Sequence, residues 1–419
     1  MEGVKVRAEN QFSEFDRKMM RKAFCLARKG LGRTFPNPAV GAVLVREGKI
    51  VGAGYHGVAG GAHAEAVALA AAGEAARGST LYVTLEPCCH HGRTPPCSAA
   101  LIKAGVIRVV AAMPDPNPQV AGDGLKTLAE AGVRVECGLF AEEARRMNEA
   151  FVKYITTGRP FITLKAAVSL DGKIAAHTGD SRWITGITAR RYVHLLRSWA
   201  AGVMVGVGTV LKDDPNLTCR WRAPTRQKES PIAGGMVKPF EFKETYTGGG
   251  GILQPVRIVV DSKGRTPLHA KVLKNQETAP TLIAVTEEAS GENIERLRQT
   301  GARVLIMPSV GGRVNLSALA LRLAEEGITS ILLEGGGTLN SAAVQAGIVD
   351  KLQIFIAPKL IGGASAPTFL EGAGVERMKD AWQVTTTSIR RIGEDFLVTA
   401  YLKNTSVFCN FSGGGIKEV

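Results

Sequence analysis

The sequence predicts an α/β protein built as two successive layered domains, and three observations carry that prediction. Short apolar strand-like runs alternate with segments of helical periodicity along most of the chain. The alternation pauses at Gly158-Arg159-Pro160 and then starts afresh. The 419 residues, 45% of them apolar, can fill two ordinary cores. The boundary is placed near residue 155, giving domains 1–155 and 156–419.

In the first domain, Ser13 with Asp16 three residues later predicts a capping box. Phe12, Phe15, Met19, Ala23 and Leu26 then mark one helical face, which Gly30 and Gly32 end. The rigid turn Thr34-Phe35-Pro36-Asn37-Pro38 leads into a strand over 40–45, returned as a hairpin over 50–55. A helix over 62–72 stops at Gly73. A buried strand over 81–85 delivers Glu86-Pro87-Cys88. Helices over 97–104, 125–131 and 141–157 alternate with strands over 107–113 and 133–136.

Two stretches of this domain carry chemistry. His63-Ala64-Glu65 heads an Ala-rich helix, and Leu85-Glu86-Pro87-Cys88-Cys89-His90-His91-Gly92-Arg93-Thr94-Pro95-Pro96-Cys97 supplies thiols in a Pro-rich loop. One imidazole and two thiolates make a zinc site with an open fourth position. Zinc acidifies a bound water, so hydroxide is available at neutral pH. A carboxylate beside the metal, Glu65, then relays protons. This is the division of labour of zinc deaminases, written H-x-E and P-C-x-x-C. Here the thiols Cys88 and Cys97 are eight residues apart instead of two. By residue type Cys89, His90 and His91 are also possible ligands, and a closed Cys-Cys-Cys-His structural knot would leave Glu65 without a role. His63, Cys88 and Cys97 all fall at or just before helix starts, where the helix end stabilises a thiolate.

The second domain opens with a strand over 161–168. Helices follow at 188–198, 293–299, 315–326 and 339–346. Strands follow at 202–207, 257–261, 281–285, 303–306, 330–333 and 352–357, with a closing pair at 382–389 and 396–402. Ser330-Ile331-Leu332-Leu333 runs through Glu334-Gly335-Gly336-Gly337-Thr338 into a helix. Strand, glycine turn and helix N-terminus are the means of holding a phosphate, though the turn is neither G-x-G-x-x-G nor a P-loop. Lys165 is a charge on an apolar strand. Arg197 and Arg220 suit a phosphate because a guanidinium donates in parallel pairs. The periodicity fails over 221–254, which reads as an exposed insertion, and the Gly-rich tail over 405–419 reads as mobile.

The enlarged loop between Cys88 and Cys97 resembles the deaminase half of the bifunctional deaminase–reductase family of riboflavin biosynthesis. Lys165-Ala166-Ala167-Val168-Ser169-Leu170-Asp171-Gly172-Lys173, Ser181-Arg182-Trp183-Ile184-Thr185, Gly206-Val207-Gly208-Thr209-Val210-Leu211-Lys212-Asp213-Asp214-Pro215 and Ile356-Ala357-Pro358-Lys359-Leu360-Ile361-Gly362-Gly363 resemble its reductase half, in the family's order. The resemblance implies a cytidine deaminase-like zinc domain followed by a dihydrofolate reductase-like domain. It selects His63, Cys88 and Cys97 as ligands of one zinc ion per chain, sets Cys89 aside, and makes Glu65 the catalytic acid–base. Asn37, His56, His90 and Arg93 would line the deaminase pocket. NADPH would touch Ala167, Trp183, Thr209, Asp213, Ser262, Gly336, Gly337, Thr338 and Leu339. The reductase substrate would touch Lys165, Ser181, Arg197, Leu217, Arg220 and Glu334. The implied reactions are deamination of 2,5-diamino-6-(5-phosphoribosylamino)pyrimidin-4-one and NADPH reduction of its ribosyl group to ribityl phosphate.

Composition bounds the alternatives. The net charge of +14 is dispersed with no Lys/Arg block, which argues against a zinc-stabilised nucleic-acid-binding protein and fits a phosphorylated small substrate. The enlarged loop argues against a nucleobase or tRNA deaminase with an unrelated second domain. No run of about 18 apolar residues predicts a membrane span, and the first residues lack a signal-peptide pattern. Seven scattered cysteines argue against a disulfide framework. The expectation is a cytoplasmic homo-oligomer.

Overall fold

The computed structural model describes residues 3–89, 96–118, 120–220 and 253–403, with backbone alone at 386 and 387. They fall into two compact units, one reaching Thr157 and the other starting at Gly158. The expected insertion and tail lie outside the described residues, apart from Leu253 and Gln254.

The first unit is built on a six-stranded sheet in the order Val4–Val6, Arg134–Cys137, Arg108–Ala111, Thr80–Val83, Gly41–Arg46, Lys49–Tyr55. The first four strands are parallel and the last two join antiparallel. Val4–Val6 has no sequence signal: three residues, one of them Lys5, are too few for an alternation to register. The core is Leu44, Leu81, Val83, Val109 and Ala111 against Ala64, Ala68, Leu101, Leu125 and Leu128. The helix Ala64–Ala72 runs close to the strand Lys49–Tyr55. Gly54 permits this, since a Cβ there would lie 2.6 Å from the Ala64 carbonyl oxygen.

The capping box forms as expected: Ser13 Oγ accepts from Asp16 N and Asp16 Oδ2 accepts from Ser13 N, each at 3.1 Å. The buried face of the helix Glu14–Ala27 is nevertheless rotated from the expected one. Asp16, Met19, Met20, Ala23, Phe24 and Ala27 are buried and Phe15 is 40% exposed. Asp16 turns that face inward, because its Oδ1 accepts from Tyr82 Oη and Arg108 Nη1, both at 2.7 Å. The helix expected over 141–157 is two, Ala141–Met147 and Glu149–Thr157. Between them Asn148 is buried and bonds both backbone groups of Ala39, accepting from N at 2.8 Å and donating to O at 3.1 Å.

The second unit holds a nine-stranded sheet in the order Arg303–Ile306, Thr281–Val285, Val256–Val260, Gly202–Gly206, Ser330–Leu333, Phe161–Ser169, Lys351–Ala357, Asp395–Leu402, Val384–Ile392. Seven strands are parallel and the last two are antiparallel. Such a sheet buries both faces, so its strands read as nearly continuous apolar runs. Two clusters, one around Leu164, Leu319 and Leu333 and one around Val205, Ile283 and Phe355, do this here. A short helix, Val207–Asp213, was not anticipated. Its β-branched and glycine content is a poor helix sequence, and burial of Val207 and Val210 stabilises it instead.

Candidate active sites

His63 is the N-cap residue of the helix Ala64–Ala72, and Cys97 is the first residue of the helix Cys97–Lys103. Cys88 follows the strand Thr80–Val83. The three meet: His63 Nδ1 lies 3.5 Å from Cys88 Sγ and 3.3 Å from Cys97 Sγ, and all three donor atoms fall within 4.8 Å of one another. Zinc bonds of about 2.0–2.3 Å in a tetrahedron require ligand atoms roughly 3.3–3.8 Å apart, so this donor set fits the ion. Cys89 stands outside the cluster. The Cys97 S–H and the His63 ring hold the Cys88 thiol down to about 4. The Cys88 contact, with burial and Glu65, pushes Cys97 up, and contact with Cys88 raises His63.

Glu65, in the first helical turn, is 4% exposed and hydrogen-bonds Cys97. Burial raises its carboxyl to about 7, which suits a group that takes and returns a proton at neutral pH. His56 is buried and stands edge-to-face with His63, ring centres 5.5 Å apart. Its Nδ1 donates to Ala62 O at 3.0 Å, which leaves Nε2 to accept from Asn37 Nδ2 at 3.2 Å. Burial holds this ring neutral. Asn37, His56 and His63 are therefore contiguous, whereas His90 and Arg93 lie outside the described residues.

Sequence reading passed over Glu86. It is 3% exposed, and its carboxylate accepts four backbone N–H groups: Asp115 at 2.8 Å, Gly122 at 3.1 Å, Gly124 at 2.8 Å and Leu125 at 3.2 Å. An acid at the end of an apolar strand was the available signal. It fastens the segment that carries Cys88 to the start of the helix Asp123–Glu130.

In the second unit a cavity of about 780 Å³ opens along the carboxyl ends of the parallel strands, the usual place for a ligand in such a sheet. Of the residues expected to bind cofactor, Ala167, Thr209, Asp213, Ser262, Gly336, Gly337, Thr338 and Leu339 line it; of those expected to bind substrate, Lys165, Ser181 and Glu334 do. Four stand apart from the lining. Trp183 is 63% exposed, with Arg190 4.1 Å above its ring. Leu217 is 2% exposed, its side chain in the core. Arg220 is exposed, its backbone N–H on His194 Nδ1 at 3.3 Å. The Arg197 guanidinium is committed to Glu334 and to Thr218 O at 3.1 Å.

The cavity has the features a dinucleotide needs. Gly336 is the N-cap residue of the helix Gly337–Gln345, so free N–H groups face the turn. Asn340, 1% exposed, lies beside the cavity with its Nδ2 donating to Phe369 O at 3.0 Å. Burial pushes the Lys165 ammonium down, against the pull of Glu334. Burial would raise Glu334, but Arg197 outweighs it and holds the carboxylate ionised. His194, unnoticed in the sequence, is pushed down to about 4 by burial and by Arg197 and Arg220. Asp171 ties two of the sequence motifs together, accepting from Ser169 Oγ at 2.6 Å, Ile361 N at 3.1 Å and Gly362 N at 2.7 Å.

A zinc-type His-Cys-Cys centre with a buried carboxylate in one α/β unit, and a cleft lined by a glycine turn at a helix N-terminus in a second, define a two-site enzyme. The comparisons with known proteins agree. Residues 13–113 match the cytidine and deoxycytidylate deaminase zinc-binding region, and residues 160–398 match the RibD C-terminal domain. The riboflavin biosynthesis protein RibD of Escherichia coli is 45% identical over 381 residues, 91% of this chain and 97% of that protein. RibD of Aquifex aeolicus is 43% identical over 385 residues, 92% and 98% respectively. The structure of Acinetobacter baumannii RibD superposes with a TM-score of 0.77 at 37% identity, covering 93% of this chain and 99% of that one. A Thermotoga maritima diaminohydroxyphosphoribosylaminopyrimidine deaminase/5-amino-6-(5-phosphoribosylamino)uracil reductase does so with 0.75 at 34%, covering 93% and 99%. The chain belongs to the RibD family. It is a bifunctional enzyme of riboflavin biosynthesis, a zinc-dependent deaminase and an NADPH-dependent reductase.

Proposed function

We propose that the first unit deaminates 2,5-diamino-6-(5-phosphoribosylamino)pyrimidin-4-one and that the second reduces the ribosyl group of the product to ribityl phosphate. The observation that carries this reading is the meeting of His63, Cys88 and Cys97 with buried Glu65 alongside. Zinc, when bound, supplies an acidified water near neutral pH. Glu65 takes a proton from the attacking water and returns it to the departing ammonia. Asn37 and His56 form a hydrogen-bonded wall that orients the pyrimidine.

In the second unit, NADPH supplies the hydride when bound. The chain's own residues orient and neutralise. The 336–339 turn faces the diphosphate, Ala167, Thr209, Asp213 and Ser262 line the rest of the nucleotide's course, and Lys165, Ser181 and Glu334 face the sugar. Arg197 acts through Glu334, and Arg220 is the exposed guanidinium left for the substrate phosphate. The enzyme works in the cytoplasm as a homo-oligomer, apart from nucleic acid and membrane. The dispersed charge supports the part of this reading that sets nucleic acid aside, and no helix among the described residues is long and apolar enough to cross a membrane. Incubating the purified protein with the diaminopyrimidine phosphate and NADPH tests the reading: ammonia release followed by loss of NADPH absorbance is expected. Ammonia release without NADPH oxidation, or neither, would contradict it.

A further inference from the structure

Residues 214–220 form neither helix nor strand, yet three consecutive residues of that segment are held by side chains. Arg197 Nη1 donates to Thr218 O at 3.1 Å. The amide of Gln254 closes on Cys219, with Oε1 accepting from N at 2.8 Å and Nε2 donating to O at 3.0 Å. His194 Nδ1 accepts from Arg220 N at 3.3 Å. Cys219 Sγ donates in return to His194 O at 3.1 Å. Leu217, whose side chain is in the core, has φ at +54°, in the left-handed region. A residue with a side chain stays in that region only where its surroundings hold it.

His194 and Arg197 are three residues apart on the helix Ile187–Trp199, so both side chains leave one face. They divide the segment between them. Arg197 gives its other nitrogens to Glu334, so a single guanidinium links the carboxylate facing the sugar to Thr218. His194 takes the N–H of Arg220, the atom next to the Cα that carries the exposed guanidinium. Burial, with Arg197 and Arg220 beside the ring, keeps His194 neutral at working pH, so Nδ1 retains the lone pair that accepts. Binding a phosphate must order the long Arg220 side chain. A fixed Cα confines the guanidinium to one neighbourhood before the phosphate arrives, which lowers that cost.

We infer that His194 is a positioning residue for substrate recognition: by holding the Arg220 backbone it sets where the Arg220 guanidinium meets the substrate's phosphate. The inference rests on the reading above that Arg220 takes that phosphate. Reductase kinetics of the full chain test it, with the deaminated pyrimidine phosphate as substrate and its dephosphorylated form as competitive inhibitor. Arg220→Ala should raise KM by about 30-fold, the loss of a charged hydrogen bond. His194→Ala should raise KM by about tenfold with kcat within about twofold, the mark of binding lost equally from ground and transition states. Its inhibition constant for the dephosphorylated compound should not change. His194→Asn, whose amide oxygen can stand in for Nδ1, should bring KM back to within about threefold of the parent. The double variant H194A/R220A should match R220A, because a residue acting through Arg220 has nothing left to act on. Losses that multiply in the double variant, a kcat that falls with KM unmoved, weakened binding of the dephosphorylated inhibitor, or an asparagine no better than alanine would each overturn the assignment. A parent-like KM in His194→Ala, with Arg220→Ala impaired, would overturn it while leaving Arg220 on the phosphate. A KM unmoved in Arg220→Ala would overturn both.

Discussion

Arg197 and Glu334 meet in a two-point ion pair, Nε to Oε1 at 2.6 Å and Nη2 to Oε2 at 3.0 Å, with the side chains 13% and 10% exposed. Each residue is a plausible substrate contact when read alone in the sequence. Together they are a carboxylate on the cavity wall and the cation that holds it ionised beside Lys165.

Removing that carboxylate charge leaves Arg197 and Lys165 without their counter-charge, a costly arrangement in a largely buried place. Glu334→Gln should lower the reductase rate by about 100-fold while ammonia release stays at the parent value. The two rates measured on one preparation check this, and a reductase rate within a factor of two of the parent would show that the pair does not serve the reaction.

Only the thiols that meet His63 should matter to the metal. Cys97→Ser should lose most of the bound zinc, whereas Cys89→Ser should keep it in full. Atomic absorption on the purified variants decides the point, and equal loss in both would overturn the ligand assignment by giving Cys89 a part in holding the metal.

Glu86 and Gly124 fix where Cys88 stands. Glu86→Gln turns part of an acceptor into a donor that faces backbone N–H groups. A Cβ at Gly124 would lie 2.0 Å from Pro87 O, so Gly124→Ala must displace the peptide next to Cys88. Residues that orient metal ligands typically contribute about 10–100-fold to metal affinity. Both variants should therefore surrender zinc to a chelator that much more readily, with the reductase unchanged.

Acid should weaken the first unit through Asp16. Burial raises its pKa, but the hydrogen bonds from Arg108, Ser13 and Tyr82 outweigh burial and hold the carboxyl far below its ordinary value. With the folded pKa below an unfolded value of about 3.9, the stabilisation is complete above that pH and is lost as pH falls towards the folded pKa. Asp16→Asn should cost about 2 kcal/mol at neutral pH, and the gap from the parent should narrow progressively as pH falls below about 4 towards the folded pKa. Hydrogen exchange in the strand Thr80–Val83 reports on this unit alone, and a gap that does not change with pH would contradict the account.

The His63–Glu65 pair and the thiol loop were legible as donor types, the family resemblance singled out His63, Cys88 and Cys97 among the possible ligands, and the alternating pattern gave most strands within a residue or two. What was not legible depends on partners far away in sequence. The inward turn of Asp16 requires Tyr82 and Arg108, the break at Asn148 requires the backbone of Ala39, and the short helix at Val207 is held by burial against its own propensity. Leu217 lies close to the substrate residues in sequence, yet its side chain belongs to the core.

The central claim is that two separate sites share this chain and that Glu65 moves the protons of the first. Glu65→Gln preserves size but cannot take a proton. Two assays on that one variant test the claim: ammonia release from the amino substrate, and NADPH oxidation with the already deaminated pyrimidine. The account predicts deamination lowered by about 10²–10⁴, full zinc content and an unchanged reductase. Loss of both rates with zinc retained would contradict it.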